Sequence, residues 1–158
     1  MNIIGFNFTK INAVRKRTVL GGINITNNIS LKDIVETQIG IGDAERKTIK
    51  ISFVFSSEYT PDMAVLSFEG DVLVLLERKL AEDVAKNWAE KKQIPPAVAQ
   101  RVMNHVLDRC NVQAMILARD LGLPSPIPLP QVNVQVPKSE KVYGKKDEKK
   151  DDKKAKKK

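Results

Sequence analysis

The chain has 158 residues, a hydrophobic fraction of 42% and a net charge of +8. This length holds one domain and a tail, and the single cysteine excludes an intrachain disulfide. The charge is concentrated at the end, because residues 138–158 carry +6 and residues 1–137 only +2. The basic composition therefore does not indicate a nucleic-acid-binding face on the predicted fold.

The sequence also predicts the cellular location of the protein. The first residues lack the basic start and the apolar run of a secretory signal. No stretch approaches the roughly 18 apolar residues of a membrane-spanning helix. Together with the lone thiol, these features predict a cytoplasmic protein without a membrane span.

Alternating apolar residues predict strands over the first 76 residues. Ile4, Phe6 and Phe8 alternate with small or polar residues, which places one side of the strand on a core. The clearest alternation lies in residues 49–55, and residues 64–68 resume it after a Pro-Asp turn. Short turns between strands predict an antiparallel sheet of about four strands.

Two segments of this region are less regular. Residues 29–41 fit either a short helix or a strand, and we expect an irregular segment at the sheet edge. Gly21-Gly22 predicts a bulge or a sharp bend. The solid apolar run at residues 72–76 predicts a last strand that is covered on both faces.

After the last predicted strand, the spacing of the apolar residues changes from the alternation of strands to the repeat of helices. Leu80, Val84 and Trp88 recur every four residues, which predicts an amphipathic helix that ends before Pro95-Pro96. A second helix is predicted from these prolines to Gly122, with a length of roughly 37 Å. A helix this long predicts packing against the sheet or against a second subunit.

A proline-rich segment follows the second helix. Four prolines alternate with other residues in residues 123–130, which forces an extended conformation. The apolar residues between them predict a segment that crosses the protein surface. Residues 138–158 are almost all Lys, Asp and Glu, and we predict that they are disordered. The predicted fold class is therefore α+β, with a domain at residues 1–137 and a disordered tail.

Signals for catalysis or metal binding are weak. His105 is the lone histidine, and Cys110 lies on the apolar stripe of the second helix, so structural roles are favoured for both. The glycines in residues 39–42 lack the rest of a phosphate-binding loop. Glu69 and Asp71 form a carboxylate pair that suits acid–base chemistry, although exposed charges on a strand are commoner. The sequence predicts no enzyme, no metal and no cofactor.

The chain resembles the SecB export-chaperone family over residues 50–134. The carrying segment is a long helix at residues 108–122, followed by a Pro/Leu-rich crossing segment and a Val-Asn dipeptide. Residues 68–72 are similar to the glycine-containing strand motif that precedes the family's helices. The residues at similar offsets to the family pattern are Gly122, Pro124, Leu129, Pro130, Val132 and Asn133.

This resemblance implies a function and a site. It implies a homo-oligomer, a dimer or a tetramer, that binds unfolded or nascent polypeptides without ATP. It also implies a client groove beside the sheet and under the crossing segment, although each of its expected residues also fits an ordinary core. An apolar groove binds extended segments through buried area and backbone contacts. The expected lining is Phe53, Phe55, Leu123, Ile127 and Leu129.

The basic tail supports a different function. Clustered lysines bind RNA or the ribosome through phosphate contacts, but the interspersed acidic residues offset that attraction. A solubilising role is an equal alternative, and a chaperone that also contacts the ribosome would use both features. The lysines expected to make this contact are Lys145, Lys146, Lys149, Lys150, Lys153, Lys154, Lys156, Lys157 and Lys158.

Overall fold

The computed structural model describes residues 1–37, 45–130 and 132. Four strands precede two helices, as the change of period predicted, and the strands form one antiparallel sheet in the order β1-β4-β3-β2. The predicted boundary between domain and tail, at residue 137, lies outside the described residues. The elements are β1 (Asn2–Arg15), β2 (Asn24–Thr37), β3 (Arg46–Thr60), β4 (Ala64–Glu77), α1 (Arg78–Lys91) and α2 (Pro96–Asp120).

One face of β3 and β4 forms the core. Alternate residues of both strands, from Ile49 to Tyr59 and from Ala64 to Leu76, are buried beneath the helices. The strands pair in register, so that Phe55 lies opposite Phe68 and Ile51 opposite Val72. The alternation in the sequence thus marks the side chains that the helices cover.

The sheet order separates β1 from β2. The short turns of the sequence connect neighbouring strands, but β1 lies beside β4 at the far edge. Residues 16–23 connect β1 to β2 and pass the turn between β3 and β4. There the amides of Lys16 and Arg17 donate hydrogen bonds to the carbonyl of Met63, at 2.8 and 3.3 Å. The ammonium group of Lys16 also binds the carboxylate of Asp62 at 2.6 Å.

The expectation of an irregular segment in the first part of residues 29–41 is wrong. These residues, up to Thr37, belong to the edge strand β2, which pairs with β3 along its length. Lys32 is an extra residue that shifts the register between Leu31 and Asp33. This bulge moves the apolar residues out of period, and the strand pattern is therefore hidden in the sequence.

The helices cover only one face of the sheet. α1 contacts β2, β3 and β4, and α2 contacts β4. Val72, Val74 and Leu76 are buried, whereas Leu73 and Leu75 on the helix-free face are only half-buried. The prediction that residues 72–76 are covered on both faces is therefore corrected, because no helix of the described residues reaches the second face.

The C-terminal end of α2 is fixed by β1 and by a glycine. Arg15 at the end of β1 donates a hydrogen bond from its guanidinium group to the carbonyl of Leu121 at 2.9 Å. A cation at this position offsets the partial negative charge of the last carbonyls. Gly122 adopts a φ of 61°, and the amide of Leu123 then binds the carbonyl of Ala118 at 2.8 Å. The predicted stop at Gly122 is confirmed, since a left-handed residue there ends the helix.

None of the helices in the described part of the chain is both long and apolar enough to cross a lipid bilayer. α2 buries one apolar stripe and carries Arg101, Asp108 and Arg109 on its exposed side.

Replacing Gly70 with alanine tests the packing of the core. A Cβ atom there would lie 2.6 Å from Cζ of Phe53 and would also meet the backbone oxygen of Asn7. We expect Gly70→Ala to lower the free energy of unfolding by about 1–3 kcal/mol, because the buried strands must move apart. Urea denaturation measures the change.

The matched control is Gly22→Ala, since a Cβ atom at Gly22 meets nothing within 4 Å. Equal stability of the two variants would contradict the close approach of β1, β3 and β4 at Gly70.

Candidate polypeptide-binding grooves

The proline-rich segment at residues 123–130, here called the crossing segment, is tied to two strands. The hydroxyl of Tyr59 on β3 donates a hydrogen bond to the carbonyl of Pro124 at 2.9 Å. The side-chain amide of Asn27 on β2 donates to the carbonyl of Pro126 at 2.8 Å. The segment therefore lies across the helix-covered side of the sheet, as predicted.

The environment of Tyr59 keeps its hydroxyl protonated. The ring is buried, and this burial raises the pKa of Tyr59 above its usual value. The hydroxyl therefore remains a donor to Pro124 at neutral pH and above.

A first apolar depression separates α2 from the crossing segment. We call it the helix groove, and it encloses about 420 Å³. Ile116 and Leu129, on its two walls, are 40% and 51% exposed, and Val112 lies one helical turn before Ile116 with 60% exposure. Large aliphatic side chains are thus presented to solvent in one place. The lining residues are Met115, Ile116, Ala118, Arg119, Leu123, Ser125 and Leu129.

A second depression lies between β2 and the helices. We call it the strand groove, and it encloses about 610 Å³. Its aromatic residue is Trp88, whose indole N–H donates a hydrogen bond to the carboxylate of Asp33 at 3.3 Å. The ammonium group of Lys92 lies 5.1 Å from the centre of the indole ring, which is a cation–π distance. The lining residues are Ile29, Ser30, Leu31, Lys32, Trp88, Lys92, Ile94, Ala99 and Met103.

The structure divides the predicted groove residues into two groups. Leu123 and Leu129 line the helix groove, and Ile127 is half-buried in the crossing segment. Phe53 and Phe55 are fully buried instead. Their rings stack on other phenylalanines, Phe53 on Phe6 at 5.4 Å and Phe55 on Phe68 at 5.5 Å. These two rings belong to the core on which the grooves are built.

Sequence reasoning missed the residues that the helices contribute. Ile116 and Val112 lie off the buried stripe of α2, and exposed apolar residues beside such a stripe are the signal that could have found them. Trp88 and Met103 meet only because the chain turns between α1 and α2. Their proximity follows from the tertiary fold, which no local pattern contains.

The carboxylates of β4 are engaged on the helix-free face. Glu69 binds Lys32 at 2.9 Å and Lys10 at 3.5 Å, and Asp71 accepts a hydrogen bond from Ser52 at 2.6 Å. The hydrogen bond from Lys32 and its charge, followed by the charge of Lys10, lower the pKa of Glu69. A general acid needs a raised pKa, so this environment disfavours an acid–base role for Glu69.

His105 and Cys110 have structural surroundings. The ring of His105 packs edge-on against Phe6 at 5.8 Å. Cys110 is fully buried, and desolvation raises the pKa of its thiol to about 12, so the reactive thiolate does not form at neutral pH. Within residues 1–37 and 45–130, no three His, Cys, Asp or Glu side chains converge as metal ligands. The predicted lysine contacts of the tail lie outside the described residues.

The comparison with known proteins finds likeness only among solved structures, where four chains match. No model of a protein family matches the chain, and no curated protein matches it. The fold is similar to that of a SecB-like chaperone of Mycobacterium tuberculosis, solved in complex with a ChAD peptide from an antitoxin. The identity is 14% and the TM-score 0.49, over 85% of this chain and 92% of that one. A likeness at this level concerns the course of the backbone and not an activity.

Replacing Tyr59 with phenylalanine tests the anchor of the crossing segment. The change removes the hydroxyl that binds Pro124 and keeps the buried ring. We expect the free energy of unfolding to fall by about 1 kcal/mol, which is the usual contribution of one hydrogen bond. Urea denaturation at pH 7 measures it.

Thr60→Val is the control, because the Thr60 hydroxyl binds Asn24 at the exposed sheet edge and does not contact the crossing segment. In hydrogen exchange, only Tyr59→Phe should speed exchange in residues 123–129. Unchanged exchange there would show that Tyr59 does not hold the segment.

Proposed function

We propose that this protein binds non-native polypeptides without ATP, as a SecB-like holdase chaperone. The observation that carries the proposal is the pair of open grooves with apolar side chains in their walls, one between α2 and the crossing segment and one between β2 and the helices. The helix groove presents Ile116 and Leu129 to solvent, and the strand groove is lined by Trp88 and Met103. Clustered apolar side chains at a protein surface mark sites of interaction.

The size of the grooves suits side chains of an extended peptide. Volumes of about 420 and 610 Å³ lie within the usual range of binding sites, and each is large enough for one or more apolar side chains. An extended chain directs every second side chain to the same face. Either groove therefore suits the apolar side chains on one face of an extended polypeptide.

The chemistry of the walls supports binding with low sequence specificity. Met115 and Met103 line the two grooves, and methionine adapts its shape to different apolar partners. β2 is also an edge strand, so the backbone groups on its outer side are available to a peptide strand. Backbone pairing is independent of sequence, and it would add affinity without selecting one client.

We include a homo-oligomer, a dimer or a tetramer, in the proposal. The edge strand β1 supports it, because its outer edge has no partner strand in the described sheet and its side chains Ile4, Ile11 and Val14 are exposed. The clients would be unfolded or nascent chains, and the protein would act in the cytoplasm. Light scattering on the full chain distinguishes a dimer or a tetramer from a monomer.

An aggregation assay tests the function. The full chain should slow the aggregation of a chemically denatured client in the absence of nucleotide. The double variant Ile116→Ser/Leu129→Ser should lose most of this effect, because it removes exposed apolar surface from the helix groove. Light scattering of the client over time measures the rate.

Leu20→Ser is the matched control. Leu20 is 97% exposed and lies between β1 and β2, outside both grooves, so its loss removes similar apolar surface elsewhere. If the control loses activity as much as the double variant, or if the unaltered chain leaves aggregation unchanged, the proposal fails.

A further inference from the structure

The strand groove combines an apolar interior with positive charge at its rim. Trp88, Ile94 and Met103 supply apolar surface to the groove, and Trp88 itself is 8% exposed. The two ionisable residues among those that line the groove are Lys32 and Lys92, and both are cations.

The charged side chains around the strand groove differ in whether another residue already binds them. Asp33 accepts the hydrogen bond of the Trp88 indole, and Lys32 is held by Glu69 at 2.9 Å on the other face of the sheet. Lys92 lies over the indole ring and forms no ion pair with the described residues. Lys92 is therefore the cation most available to a bound molecule.

The position of Lys92 is fixed by the end of α1. It is the residue after the helix and adopts a φ of 54°, and its amide donates to the carbonyl of Trp88 at 3.0 Å. The last carbonyls of α1 carry partial negative charge, which Lys91 and Lys92 offset. The ammonium group of Lys92 thus remains at the mouth of the groove, next to the site for an apolar side chain.

We infer that the strand groove selects polypeptide segments in which a large apolar residue is followed or preceded closely by an acidic residue. The apolar side chain packs on Trp88, and the neighbouring carboxylate pairs with Lys92. A basic residue at the same place meets a like charge. This inference rests on the proposed function, and it adds a charge preference to a site otherwise governed by apolar area.

The expected preference is modest. An ion pair at a partly exposed site changes affinity by roughly two- to fivefold. Salt screens such a pair, because the Debye length falls to about 3 Å at 1 M ionic strength. The preference should therefore disappear at high salt, while the apolar contribution remains.

Trp88 provides a direct readout. It is the only tryptophan of the chain, so a peptide without tryptophan that enters the strand groove changes the intrinsic fluorescence at one known position. Three peptides with the same Leu and Phe residues are compared on the full chain, with Asp, Ser or Lys beside each apolar residue. We expect the Asp peptide to bind about threefold more tightly than the Ser peptide, and the Lys peptide more weakly than both.

Two single variants separate the groove from the lysine-rich tail. Lys92→Gln should remove most of the difference between the Asp and Lys peptides, whereas Lys91→Gln should preserve it. Both residues are exposed at the same helix end, but only Lys92 lines the groove. The tail is present in both variants, so its attraction for acidic peptides is the same in the two titrations.

The outcomes distinguish the two proposals. Equal binding of the three peptides, or tighter binding of the Lys peptide, would overturn the charge preference and leave the holdase function intact. No change of Trp88 fluorescence with any of the three peptides would overturn the inference, and the aggregation assay with Ile116→Ser/Leu129→Ser decides the holdase function separately. Trp88 fluorescence that changes with protein concentration alone would assign the groove to a second copy of the chain, which also overturns the inference.

Discussion

The buried face of β3 and β4 sets the requirements for the rest of the molecule. The alternate residues of β3 and β4 between Ile49 and Leu76 are apolar except for Ser57, and their large side chains form one surface that must be removed from water. α1 covers part of this surface and α2 another part. The crossing segment is tied over β3 and β2 by Tyr59 and Asn27. The positions of both helices and of this segment therefore follow from one need for cover.

The prolines of the crossing segment determine how it covers the buried face of the sheet. Proline has no backbone N–H, so a segment with alternating prolines cannot form a helix or pair fully as a strand. It crosses the sheet as a single narrow chain, fixed by side-chain hydrogen bonds from Tyr59 and Asn27. Space remains between the segment and α2, where the helix groove lies. The same composition that covers the core thus leaves this groove open to solvent.

Local patterns predicted the elements that have a strict period. β3, β4 and both helices were predicted from alternation and from the four-residue repeat, and Gly122 from its position after α2. The second part of β2 was expected to be irregular, with a strand as the alternative, because the bulge at Lys32 breaks its period. The partner of β1 depends on contacts between residues 16 and 63 that no short window contains. Leu123 and Leu129 were expected in a client groove by resemblance; both line the helix groove, and their contact with a client stays a prediction. Trp88, Met103 and Lys92 were not predicted, because only the folded chain brings them together.

Hydrogen exchange on a stable complex with a denatured client locates the client without altering the protein. We expect slower exchange in residues 112–129, 29–31 and 88–103, which include the walls of the two grooves. We expect unchanged exchange in residues 65–71, which include the ion pairs of Glu69 on the helix-free face. Protection confined to the helix-free face, or to the lysine-rich tail, would contradict the account.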